Sequence, residues 1–251
     1  MCIRDSQYLD EFEDVLNSLL HIRNADVYVT GSNSKFLSSD VITQFRGRGD
    51  EIRVYPLSFS EYVSVYQGSQ DEAWDDYLVY GGLPLILTME EAEDKAEYLN
   101  SLFQKVYISD IVERHNVRNK AELDELVDVL ASAIGSCTNQ SKLVRTFKSV
   151  KNKSISDKTI KNYTDYLIDS YLISKADRYD IKGKKHIGKL SKYYFEDVGL
   201  RNARLGFRQI EETHLMENII YNELRVRGYH VDVGVVEYYE TCLLYTSDAA
   251  D

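Results

Sequence analysis

The chain has 251 residues, 30 Lys and Arg against 41 Asp and Glu, and a net charge of −11. Three cysteines in a chain of this length exclude a disulfide scaffold. Twenty Tyr and eight Phe argue against extended disorder, and no run approaches the roughly 18 uncharged apolar residues of a membrane span. No apolar signal-peptide core is present, so a cytoplasmic location and no membrane partner are expected. Only 2 Pro favours helices.

The two ends read unlike the rest. Cys242-Leu-Leu-Tyr-Thr-Ser-Asp-Ala-Ala-Asp251 and Met1-Cys-Ile-Arg-Asp-Ser6 can be translated from the two strands of one DNA segment. That segment resembles the transposase adapter of sequencing-library preparation. Residues 1–6 and 241–251 are therefore expected to be adapter-derived and the natural segment to run over 7–240. On that expectation Cys137 is the remaining cysteine, a small buried residue without a partner. The charge becomes −9 and is uneven. It is −14 over 7–140, +10 over 141–208 and −5 over 209–240. A basic block inside an acidic chain fits a polyanion-binding surface or a basic domain docked on an acidic neighbour.

In chain order, Tyr8, Leu9, Phe12, Val15, Leu16, Leu19 and Leu20 recur at helical spacing and predict a helix over 7–22. Val27 and Val29 predict a short buried strand that stops at Thr30-Gly31. The polar Ser32-Asn33-Ser34 turn then sits at the carboxyl end of a strand, where α/β sheets bind ligands. A helix over 38–46, a strand over 51–55 ended by Pro56, and a helix opening at Leu57-Ser-Phe-Ser-Glu-Tyr62 follow. One long helix is predicted over 90–117, then helices over 121–134, from Thr138-Asn139 onwards, and over 157–169. A strand over 171–181, a basic turn Lys182-Gly-Lys-Lys-His-Ile187 and a returning strand over 191–195 complete a winged helix-turn-helix pattern. In such a unit Lys158 and Lys161 lie on the third helix and Lys182, Lys184 and Lys185 on the wing, where lysines contact phosphate. The same fold also serves as a protein-binding module, and Tyr163 and Tyr166 fit a core as well as a base stack. The chain closes with a helix over 213–227 and a strand over 229–236. His21, His115, His186, His214 and His230 have no metal-ligand spacing.

Seven motifs in order resemble one family. They are Thr30-Gly-Ser-Asn-Ser34, Gly47-Arg48, Pro56-Leu-Ser-Phe-Ser-Glu-Tyr62, Tyr80-Gly-Gly-Leu-Pro84, Asp157-Lys-Thr-Ile-Lys-Asn-Tyr163, Tyr194-Phe-Glu-Asp-Val-Gly-Leu-Arg201 and Met216-Glu-Asn218. Together they resemble prokaryotic AAA-type, P-loop ATP-binding proteins that carry a C-terminal domain of unknown function. The resemblance implies a fold that is α/β plus mostly α: the C-terminal half of a P-loop AAA-type ATPase domain over 7–88, a helical linker and winged helix over 89–210, and the start of an α/β nuclease-like domain over 211–240. It implies catalytic roles for Ser32 or Asn33, near the γ-phosphate and attacking water, and for Arg48 as arginine finger or sensor arginine. A helix N-cap would also account for Ser32 and Asn33, and a surface ion pair for Arg48.

The departures matter as much. No G-x-x-x-x-G-K-[ST] loop occurs in the chain. The magnesium-binding acidic pair would fall at Arg4-Asp5, and Leu9-Asp10-Glu11 reads as a first helical turn that favours acids for its dipole. ATP and Mg are thus expected in an intact parent, which would hydrolyse ATP as a possible homo-oligomer, and not in this chain. Glu217 matches the helix glutamate of the nuclease pattern, but one carboxylate makes no metal site and a surface or capping role is expected. A DNA-binding regulator without enzymatic activity, or a protein-interaction module, is the alternative.

Overall fold

The computed structural model describes residues 2–3, 12–22, 24, 26–29, 52–150, 155–180, 185–208 and 210–234. The chain falls into two compact units, one of residues 1–54 with 169–171 and one of residues 55–168 with 172–251.

In the first unit, β1 (Cys2–Ile3), α1 (Phe12–Leu20) and β2 (Tyr28–Val29) follow in order. β1 and β2 pair parallel, Cys2 opposite Tyr28 and Ile3 opposite Val29. Parallel neighbours need a crossover connection, and α1 lies within it. α1 and β2 fall within the predicted first helix and strand; residues 7–11 of that helix lie outside the described residues. The predicted helix over 38–46 lies outside the described residues. No strand runs through 52–55, a correction to the expectation. Ile52 and Val54 stay 79% and 88% exposed, so the alternation buries neither side chain that suggested it.

The second unit opens with two capped helices. Ser58 and Glu61 form a capping box for α2 (Phe59–Val65), and Ser69 and Glu72 another for α3 (Gln70–Tyr80). A 3₁₀ turn, Pro84–Thr88, leads to α4 (Ala92–Leu102), a π-helical stretch Phe103–Ile108 and α5 (Ser109–Arg114). The single helix expected over 90–117 is thus broken in character. Phe103 and Ile108 are both buried and five residues apart, a spacing that an i→i+5 ladder places on one face and an α-helix does not.

Next come α6 (Lys120–Ser132), α7 (Gln140–Val150), α8 (Asp157–Asp169), the hairpin β3 (Ile173–Asp180) and β4 (Lys185–Phe195), α9 (Val198–Arg204), α10 (Glu212–Val226) and β5 (Val233–Gly234). Asn119 caps α6 and Asn139 accepts from the Lys142 amide at 2.8 Å to cap α7. The sheet order is β4-β3-β5, with β4 antiparallel and β5 parallel to β3. β4 begins six residues before the predicted return at 191, because His186 and Lys185 continue the ladder opposite Tyr179 and Asp180 beyond a bulge. Thr138 bridges Ser191 through two backbone hydrogen bonds of 2.8 and 2.9 Å, so the segment between α6 and α7 is anchored to the hairpin.

The main core joins Leu123, Leu126 and Leu130 of α6, Leu143 and Phe147 of α7, and Ile160, Tyr163 and Leu167 of α8 to Phe195 and Leu200. Each set recurs at three- and four-residue spacing, the buried stripe of an amphipathic helix. Tyr163 is core, as one of its two readings held. A second cluster gathers Tyr62, Tyr77 and Leu78 with Val198, Leu215 and Ile219. Phe59 meets the Trp74 ring edge-on at 5.1 Å, and Tyr62 meets Tyr77 at 5.1 Å. Such pairs add roughly 0.5–1.5 kcal/mol each beyond their buried area. Cys137 is half-buried and free rather than fully buried as expected.

Candidate functional site

Three of the seven sequence motifs converge in the second unit. Gly81 ends α3 with φ at 77°, a conformation open to glycine. The next amide, of Gly82, donates to Asp197 Oδ2 at 2.8 Å, and the Leu200 amide donates to Asp197 Oδ1 at 3.0 Å. Asp197 is the N-cap of α9, so one carboxylate ties the end of α3 to the start of α9. Gly199 lies so close to the Tyr80 carbonyl that a Cβ there would overlap it. These contacts account for Tyr80-Gly-Gly-Leu-Pro84 and for the Asp-x-Gly of the Tyr194–Arg201 motif.

The next residues extend the lattice. Asn202 donates to the Leu78 and Val79 carbonyls at 3.0 and 2.9 Å, and Arg201, 1% exposed, donates to the Ala131 carbonyl at 2.9 Å. Asn218 of α10 embraces Phe195, accepting from its amide and donating to its carbonyl, each at 2.8 Å. Asn222, one turn on, donates to the Phe195 and Glu196 carbonyls. Glu196 pairs with Arg225 at 2.8 Å and also accepts from Ser174. Burial pushes the Asp197 carboxyl up to about 6, against the pull of the Gly82, Leu200 and Gly199 amides.

A small cleft of about 250 Å³, open mouth included, borders this lattice and is lined by Tyr55, Pro56, Leu57, Glu196, Asn222 and Glu223. Its carboxylates are engaged: Glu196 by Arg225, and Glu223 by the Phe59 amide at 2.7 Å and by Arg227. Chemically, the arrangement fixes backbone segments rather than presenting a reactive group. Sequence reasoning flagged the motifs but not Asn202, Asn222, Glu223 and Arg225. Asparagines on an amphipathic helix carry no local signal of the carbonyl they will cap.

The residues expected to act on ligands fall elsewhere. Ser32, Asn33 and Arg48 lie outside the described residues, as do Arg4-Asp5, Leu9-Asp10-Glu11, Lys182 and Lys184. Lys185 opens β4, where its backbone pairs with Asp180. Lys158 and Lys161 are exposed on the first two turns of α8. Tyr166 is half-buried and stacks on His115 with ring centroids 3.7 Å apart. Glu217 does more than the surface or capping role expected of it. It accepts from Lys192 at 2.8 Å and from the Tyr194 hydroxyl. Burial, with the Glu217 carboxylate beside it, pushes the Tyr194 phenol up, so it remains a donor.

The phosphate-cradling G-x-x-x-x-G-K-[ST] sequence is absent from the chain. No group of three or more His, Cys, Asp and Glu among the described residues is placed to hold a metal. No described helix is long and apolar enough to cross a membrane.

An AAA domain matches residues 2–63, in the region of the parallel β1–β2 pair. A domain of unknown function (DUF8612) matches residues 71–211, more than half the chain, and the protein belongs to that family. Two relatives are similar along most of the chain. An uncharacterized protein of Haemophilus influenzae is 34% identical over 240 residues, 94% of this chain and 60% of the relative. An uncharacterized protein of Methanocaldococcus jannaschii is 28% identical over 239 residues, 88% of this chain and 53% of the relative. The chain thus spans a little over half the length of the relatives it matches. The AAA match ends at Val63, inside α2, yet α2 packs with α3, α9 and α10 in the second unit.

Proposed function

We propose that this chain is part of an AAA-type ATPase in which ATP hydrolysis drives a helical, winged-helix-bearing domain against a nucleic-acid or protein target. The match to an AAA domain over 2–63 carries the reading. Ser32 or Asn33, just after β2, would face the transferred phosphate, and Arg48 would offset its developing charge. The phosphate-binding loop and the magnesium pair would come from elsewhere in the intact protein, and a second protomer is where an arginine finger would act. Lys192 and Tyr194 around Glu217 favour a positioning role for that glutamate over a nuclease one. The test is steady-state ATP hydrolysis by the intact protein that contains this chain. Arg48→Ala is expected to lower kcat roughly 10³-fold with little change in stability; an unchanged kcat overturns the assignment of Arg48, and no hydrolysis by the wild type overturns the ATPase reading.

A second reading, duplex-DNA binding by the helical domain, is favoured by one arrangement. Three helices, α6 to α8, precede a β3–β4 hairpin, and Thr138 between α6 and α7 pairs with that hairpin. This is the element order of a winged helix, in which the third helix enters the major groove.

A further inference from the structure

The basic block of the sequence is densest over α7 and the start of α8. Over 140–162 the chain has seven Lys or Arg and a single acid, Asp157. α7 itself contains Lys142, Arg145 and Lys148 and no carboxylate. These three are exposed while Leu143 and Phe147 are buried, so the cations form one outward stripe at three-residue spacing opposite the core face. Lys158 and Lys161 continue the charge onto the first turns of α8, and Asp165 and Asp169 come only on later turns.

On several other elements of the second unit cations are paired with carboxylates. Lys95 pairs with Asp76, Arg114 with Asp110, Lys192 with Glu217, Arg204 with Asp124 and Asp128, and Arg225 with Glu196. Arg145, Lys148, Lys158 and Lys161 have no ion pair among the described residues. Lys142 donates one proton to the Cys137 carbonyl at 2.9 Å, which leaves two of its three donors. In a chain of net charge −11, a stripe of cations without ion pairs is matched to a polyanion.

We propose that the outward face of α7, with Lys142, Arg145 and Lys148, binds the phosphate backbone of duplex DNA alongside the start of α8. The proposal rests on the second reading above and adds to it the element that carries most of the affinity. In a helix-turn-helix the helix before the recognition helix crosses the backbone, and an α7 free of acids and lined with cations has the chemistry for that crossing. Ser141 and Ser149, exposed on the same side, add neutral phosphate donors.

Fluorescence anisotropy of a labelled duplex of about 20 base pairs, titrated with the full chain between about 50 and 200 mM salt, tests this. The double variant Arg145→Glu/Lys148→Glu is expected to weaken binding at least tenfold and to flatten the log–log salt slope by about two. Arg118→Glu/Lys105→Glu makes the same charge change at exposed positions of other elements and is expected to leave affinity within about twofold. Equal losses in both pairs would mean bulk charge alone and overturn the site. If the α7 variant binds like the wild type while Lys182→Glu/Lys184→Glu does not, DNA binding stands and the α7 assignment falls. If the wild type fails to bind even at 50 mM salt, the DNA-binding reading falls with it.

Discussion

Around α9 and around the α7–α8 corner, polar side chains meet opposite fates. At α9 the charged and amide groups are buried, and each is consumed by backbone or by a partner: Asp197 by the Gly82 and Leu200 amides, Asn202 by two carbonyls, Glu196 by Arg225. At the corner the cations are exposed and without ion pairs among the described residues. Buried polar groups of the first kind cost stability when a partner is lost. Exposed cations of the second kind contribute little to the fold and remain available to another molecule. On this contrast the motif-rich region holds the fold, and the DNA contact proposed above falls on the motif-poor helix α7.

The largest loss of stability is expected at Gly199. Gly199→Ala places a methyl group on the Tyr80 carbonyl and is expected to cost about 4 kcal/mol or more, read as loss of the cooperative urea transition. Asp197→Ala orphans the Gly82 and Leu200 amides in the interior and should cost about 3–4 kcal/mol by the same measurement. Arg225→Met leaves Glu196 without its cation. Because Arg225 is partly solvated, at 16% side-chain exposure, about 2–3 kcal/mol is expected, below the range for fully buried pairs.

The raised carboxyl of Asp197 makes stability depend on pH. The folded state keeps this proton up to about 6, whereas an unfolded aspartate loses it near 4. Between those values the folded state binds more protons than the unfolded one, so this group makes stability fall as pH rises and leaves it flat above the window. The expected drop is on the order of 2–3 kcal/mol. Subtracting the profile of Asp197→Asn isolates it from the other carboxylates, and a difference that does not change between pH 4 and pH 6 counts against the buried environment.

Much of this was legible in the sequence. The α6, α7, α8 and α10 stripes were readable because each buried set recurs at three- and four-residue spacing. The Tyr194–Arg201 and Tyr80–Pro84 motifs stood out as strings, yet their joint purpose did not, since Gly82 and Asp197 are 115 positions apart. The break at Phe103 escaped because a five-residue spacing is hidden in a pattern that otherwise reads as helix. The false strand at 52–55 shows the converse: alternation predicts a strand only if something covers the apolar side. Charge counting located the basic block but favoured the wing lysines and α8. What singles out α7 is three exposed cations on one face of a helix that carries no carboxylate.

The smallest effect on stability is expected where the largest effect on binding is. Arg145→Glu/Lys148→Glu, measured for both thermal unfolding and duplex affinity, tests the division of labour most directly. The account predicts a midpoint within about 2 °C of the wild type together with at least a tenfold loss of DNA affinity. A fall in the midpoint with affinity unchanged would contradict it.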